Sequence, residues 1–157
     1  MPNTSPLDIP ALLRRIPLFS ELSEEDIQRV TRYTRERQVA RGEVLFQRGD
    51  LPHGFYFVVS GQVKLAFSSS QGTEKVVEII GAMQSFGEAV MFMNHPYPVF
   101  AEALSETVLV HVGQAVVSEL IDQDSTFARK LLAGMAIRLH GLIQDVETYS
   151  LRSSTQR

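Results

Sequence analysis

Arg41-Gly42-Glu43-Val44-Leu45-Phe46-Gln47-Arg48-Gly49-Asp50, followed by Phe55-Tyr56-Phe57-Val58-Val59-Ser60-Gly61-Gln62-Val63-Lys64-Leu65, decides the fold of this chain. Short runs of aromatic and β-branched residues favour extended backbone. Gly42, Gly49 and Gly61 interrupt them as structural turns, where glycine accepts backbone angles that side chains resist. The same texture runs from about Arg37 to Val112, through Val76-Val77-Glu78-Ile79-Ile80 and past Gly54, Gly72, Gly81 and Gly87. Ser60-Gly61-Gln62 and Ser70-Gln71-Gly72 read as hairpin turns. Many short strands with regular turn signals predict a β-sandwich or barrel.

On the N-terminal side, residues 1–10 read as a flexible leader with Pro2, Pro6 and Pro10. Ala11 to Phe19 predicts a short helix stopped at Pro17. Ser23, with Glu24, Glu25 and Asp26 after it, opens a second, because a serine cap and early acids suit the positive helix end. On the C-terminal side, Gln114 to Ile121 predicts a short helix. A proline-free helix is then expected over residues 125–151. Its apolar positions Ala128, Leu132, Met135, Leu139, Leu142, Val146 and Tyr149 step by 4, 3, 4, 3, 4, 3, the seam of a coiled coil. Phe127, Leu131, Ile137 and Ile143 widen the apolar surface enough to serve both the barrel and a second chain.

The 157 residues carry a net charge of -3, which argues against nucleic-acid binding by this stretch itself. The absence of cysteine excludes an iron–sulfur cluster, thiol catalysis and disulfides within it. No signal-peptide pattern and no run of membrane-spanning length is present, so a cytoplasmic protein with no membrane partner is expected.

The order of these residues resembles the cyclic-nucleotide-binding domain of the CRP/FNR superfamily of bacterial transcription regulators. Ser85-Phe86-Gly87-Glu88-Ala89-Val90-Met91-Phe92 resembles the family's phosphate-cassette entry. Arg138-Leu139-His140 to Ser150-Leu151-Arg152 resembles its dimerisation helix and exit. The resemblance implies an α+β, mainly β fold: a double-stranded β-helix, or jelly-roll barrel, with short N-terminal helices and a long C-terminal dimerisation helix. The sensor domain would span residues 11–124 and the helix residues 125–151. Residues 152–157 would begin a linker to an absent helix-turn-helix domain, making the chain a piece of a longer protein. A homodimer, DNA bound through that absent domain, and no enzymatic activity follow from the resemblance.

In the cAMP-binding members an Arg-Ser-Ala or Arg-Thr-Ala follows the Gly-Glu. Here the window reads Pro96-Tyr97-Pro98-Val99-Phe100-Ala101. A cyclic phosphate would lose its paired cation, and a charge-assisted hydrogen bond contributes about 1.5–3 kcal/mol. No cAMP binding is therefore expected. The effector pocket is placed at Phe86, Gly87, Glu88, Ala89, Phe92, Val99 and Phe100, apolar except for Glu88. That carboxylate needs water, backbone N–H groups or a cation. The pattern resembles the nitrate-respiration and denitrification branch, which implies nitric oxide sensed through haem. Among His53, His95, His111 and His140, His95 stands nearest the altered cassette and is the candidate axial ligand.

Arg32, Arg35, Arg37 and Arg41 form a basic stretch read as a solvated face, with RNA polymerase or the DNA-binding half as its alternative partner. Two other classes compete. A cupin-type metalloenzyme wants histidines on neighbouring strands, and no His-x-His pair occurs. A true cyclic-nucleotide-binding module of kinase or channel type is the alternative binding function, and the missing cassette arginine counts against it.

Overall fold

The computed structural model describes residues 7–155, with side chains described through residue 141 and at residue 143. Helix α1 (Ile9–Arg14) is capped by Asp8, and Pro10 lies in its first turn. Ile9 and Pro10 thus belong to the helix rather than to a leader ending at residue 10; proline's missing N–H costs nothing in a first turn. A 3-10 turn (Pro17–Phe19) follows. Helix α2 (Glu24–Thr31) opens on a reciprocal capping box: the Ser23 hydroxyl accepts from the Asp26 N–H, and the Asp26 carboxylate accepts from the Ser23 N–H.

Eight strands come next: β1 (Thr34–Val39), β2 (Val44–Phe46), β3 (Gly54–Ser60), β4 (Val63–Ser68), β5 (Glu74–Ile80), β6 (Ser85–Phe86), β7 (Phe100–Ala103) and β8 (Thr107–Gly113). Helix α3 (Glu88–Met93) sits between β6 and β7, and α4 (Gln114–Gln123) and α5 (Ser125–Thr155) close the chain. The strands form two antiparallel sheets, β1-β8-β3-β6 and β2-β7-β4-β5, in a mainly-β jelly roll.

This topology corrects one reading of the turns. β3 pairs with β6 and β8, and β4 with β5 and β7, so Ser60-Gly61-Gln62 is a corner where the chain changes sheets. Ser70-Gln71-Gly72 does close a hairpin, between β4 and β5. Both kinds of turn demand the same residue chemistry, which is why the sequence pattern alone does not separate them. Gly42, Gly49 and Gly61 have φ of 86°, 93° and 95°. At Gly61 the space is also closed, since a Cβ would lie 2.4 Å from the Thr107 hydroxyl oxygen.

The core has two layers, divided by β3. Phe55 and Phe57 point to the helices, joining Leu13, Ile16, Phe19, Phe127 and Leu131. Tyr56 and Val58 point between the sheets, joining Phe46, Phe86, Tyr97 and Leu109. Both faces are covered, so Phe55-Tyr56-Phe57-Val58 is apolar throughout instead of alternating.

α5 divides its apolar residues in the same way. Phe127 and Leu131 are buried in the helical core, and Ala128 is half-buried. Leu132, Met135, Ile137, Leu139 and Ile143 are left exposed, Leu132 and Leu139 by 63% and 60%. The remaining seam positions, Leu142, Val146 and Tyr149, lie outside the described side chains. None of the helices among the described residues is long and apolar enough to cross a membrane.

Candidate functional site

The segment between β6 and β7 builds the site. Gly87 turns the chain out of β6 with φ 91°, an angle that favours glycine, and so starts α3. Asn94 ends the helix in the left-handed region, its N–H bonding the carbonyls of Val90 and Met91. Tyr97 then anchors the return: its N–H donates to the Asp50 carbonyl, and its own carbonyl accepts from Gly49.

This arrangement leaves a cavity of about 550 Å³ between α3 and α5. Glu88, Ala89, Phe92 and Met93 line it from α3, Met135, Arg138 and Leu139 from α5, and Leu18 from the 3-10 turn. Glu88, Ala89 and Phe92 were expected at a pocket and stand there. The other expected residues stand elsewhere. Phe86 is buried between the sheets, and Val99 packs on that same core. Phe100 lies in β7, half-buried, with the Lys64 ammonium 5.7 Å from its ring centroid. Phe86 and Phe100 leave the cavity because strand geometry directs them into the barrel and onto its surface, and Val99, in the bend before β7, packs on the barrel core. Met93, Met135, Arg138, Leu139 and Leu18 take their place, most of them reached only through the docking of α5.

Glu88 finds its cation across the cavity rim. The Ser85 hydroxyl donates to Glu88 Oε2 at 2.5 Å, and Arg138 Nη1 stands 3.3 Å from the same oxygen. Arg138 also lies 3.4 Å from the Ser85 hydroxyl oxygen. The triad ties α5 to the start of α3. Arg138 is 44% exposed, so water screens the pair and its contribution is about 0–1 kcal/mol. Glu88→Gln keeps the Ser85 contact and removes one charge. It is expected to lower stability by about 1 kcal/mol or less, which thermal unfolding checks.

Between the sheets, aromatic rings pack against one another in the barrel core. Phe46 and Tyr97 stack at 3.5 Å between centroids, and Tyr56 stacks on Phe86 at 5.1 Å. Tyr97 is 5% exposed, and burial, with Tyr56 and Asp50 nearby, pushes its hydroxyl well above the usual phenol range. It stays protonated and offers no positive charge to a phosphate.

Toward a haem the cavity would offer apolar walls, the thioethers of Met93 and Met135, and Arg138, whose guanidinium is paired with Glu88. It has no imidazole. His95 is exposed on the turn after α3 and does not line it. His140 is exposed on α5, while His53 and His111 line a different cavity.

Residues 36–124 match the family model of the cyclic nucleotide-binding domain. The chain is 27% identical over 141 residues to the cyclic AMP receptor protein of Thermus thermophilus, covering 90% of this chain and 65% of that protein. Among solved structures it superposes on DNR from Pseudomonas aeruginosa with a TM-score of 0.81 at 31% identity, covering 90% of this chain and 63% of that one. The sensor domain of the transcriptional regulator DNR alone gives a TM-score of 0.71 at 30% identity, covering 85% of this chain and 90% of that one. The chain spans less than two thirds of the length of the curated relatives first matched.

Proposed function

This chain belongs to the cyclic nucleotide-binding domain family, and from that premise we propose that it is the sensor and dimerisation part of a CRP/FNR-type transcription regulator answering to an apolar effector. The observation that carries the reading is the cavity between α3 and α5. Met135 and Leu139 form its wall and also belong to the exposed apolar stripe of α5. An effector that packs on them acts on the same side chains that a second copy of the chain would cover.

The sensor then runs from α1, which begins at Ile9, to the end of α4, and the coupling helix begins at Ser125. Dimers form through α5, and an effector shifts the dimer between two arrangements only by binding them unequally. The helices carry that shift to DNA-binding domains outside this chain. RNA polymerase is a further partner in that role, and the cytoplasm is the compartment in which it is exercised. Haem carrying nitric oxide is the candidate effector, held by the apolar walls and by Arg138, with thioether donors at Met93 and Met135. His95 would have to move to take part. The chemistry haem supplies when bound is reversible capture of the diatomic gas.

A nucleotide effector is disfavoured by the window from Pro96 to Ala101, which holds no arginine, serine or threonine. Calorimetry with cAMP and with cGMP is expected to give no binding tighter than roughly millimolar, about 4 kcal/mol. A micromolar constant for either would overturn the apolar-effector reading in favour of a true nucleotide-binding module.

A further inference from the structure

The barrel opens a second time, at β1, β3 and β8. Register places Arg35 opposite His111, and His111 opposite Tyr56, so the three form one row on one face of the sheet. Arg37, two residues along from Arg35, shares that face. It is the face that sends Tyr56, Val58 and Leu109 into the core between the sheets. Arg35 is exposed and Arg37 half-buried, and both stand at the mouth of a cavity of about 540 Å³. His53 and Leu51 join them from the loop before β3, and the stacked Phe46 and Tyr97 rings lie against the same space.

Two arginines and two carboxylates, Glu36 and Asp50, line the cavity, but Arg35 and Arg37 share one face of the sheet with His111, whereas alternation puts Glu36 on the other. Arg35 forms no ion pair among the described residues, and Arg37 has only Glu43, at 3.7 Å. Both carboxylates are engaged locally: Gln38 donates to Glu36, and the Gln47 N–H donates to Asp50. His111 is held close in, since a Cβ at Gly54 would lie 2.7 Å from its Nε2. Burial holds the His111 pKa below the usual imidazole range, and Arg37, His53 and Arg35 push it further down. The groups that face His111 are thus Arg35 and Arg37 on β1, Tyr56 on β3, and His53 on the loop; Glu36, Asp50 and Tyr97 complete the charged and titratable lining.

We propose that this mouth is a binding site for a small organic oxyanion, a carboxylate or phosphate, held by Arg35, Arg37 and His111. Its flat or apolar body would pack on Leu51 and the Phe46–Tyr97 pair. The site shares no lining residue with the cavity between α3 and α5, so it is independent of the effector reading. An arriving oxyanion favours the imidazolium form, which raises the His111 pKa. Binding therefore takes up a proton and tightens as pH falls through the histidine range.

The test is a titration with phenyl phosphate, benzoate and inorganic phosphate near about pH 6, at constant ionic strength, followed by the imidazole NMR signals of His111 and His53. Saturable shifts centred on His111 are expected, with phenyl phosphate or benzoate tighter than inorganic phosphate. The tighter of the two names the head group. Arg35→Gln and Arg37→Gln should each weaken binding about tenfold or more, because each removes a charge-assisted contact. Arg138→Gln, in the other cavity, should change nothing. Shifts that do not saturate, or that persist unchanged in the Arg35→Gln, Arg37→Gln double variant, would show an adventitious ion only and overturn the site. Inorganic phosphate binding as tightly as phenyl phosphate would overturn the role given to the rings.

Discussion

Leu139→Glu is expected to turn the proposed dimer into a monomer. Leu132, Met135 and Leu139 stand exposed by 63%, 46% and 60% on one stripe of α5, each three or four residues from the next. A second chain is the occupant that buries them with matching periodicity. A glutamate at the centre of that seam would meet its own copy across the proposed interface. An unpaired buried charge costs several kcal/mol, so the dimer dissociation constant is expected to rise about a hundredfold or more. The position is exposed in the single chain, so the fold itself has little to lose. Sedimentation velocity at micromolar concentration should show dimers of the parent and monomers of the variant, with closely similar circular dichroism. A variant that stays dimeric contradicts the seam.

Gly134→Ala is expected to destabilise the domain by about 1–3 kcal/mol, against the ordinary preference of helices for alanine. α5 crosses the 3-10 turn at this residue, and a Cβ there would lie 2.4 Å from the Leu18 carbonyl oxygen and 2.9 Å from that of Pro17. Both obstacles are backbone, so they yield only if the helix moves away. The movement separates Leu18 from Met135, two walls of the cavity. Gly141→Ala is the internal control. Nothing lies within 4 Å of its added Cβ, so the same substitution should stabilise the helix by about 0.5–1 kcal/mol. Thermal unfolding of the pair is expected to move in opposite directions. A loss of stability at both positions would mean that helix packing at Leu18 is not what glycine serves.

Much of the fold was legible because its signals are local. Ser23 followed by acids specifies a capped helix wherever it occurs, and the aromatic and β-branched runs at Phe55 and Val63 specify strands. What lay beyond reach depends on pairings between distant residues. The turn at Gly61 carries the chemistry of a hairpin, and only the pairing of β3 with β8 reveals a crossing between sheets. Glu88 could be recognised as a carboxylate in need of a partner. That Arg138, 50 residues away, supplies it follows only from where α5 docks. The cassette window was legible as lacking a phosphate-binding arginine. The destination of Phe100 was not, because the sequence does not say which face of β7 is wet, nor was that of Val99, in the bend before the strand. Arg32, Arg35 and Arg41 are exposed, as a solvated stretch should be, but charge in a run says nothing of register, and it is register that brings Arg35 beside His111.

The most direct measurement is a haem titration followed by Soret absorption, comparing the parent chain with Ala89→Trp. Ala89 lines the cavity between α3 and α5 and is exposed, so an indole can fill the space without entering the core. The account predicts one saturable site per chain in the parent and binding weakened about tenfold or more in the variant, at unchanged thermal stability. Equal binding by the two proteins, or no saturable binding by the parent, would contradict it.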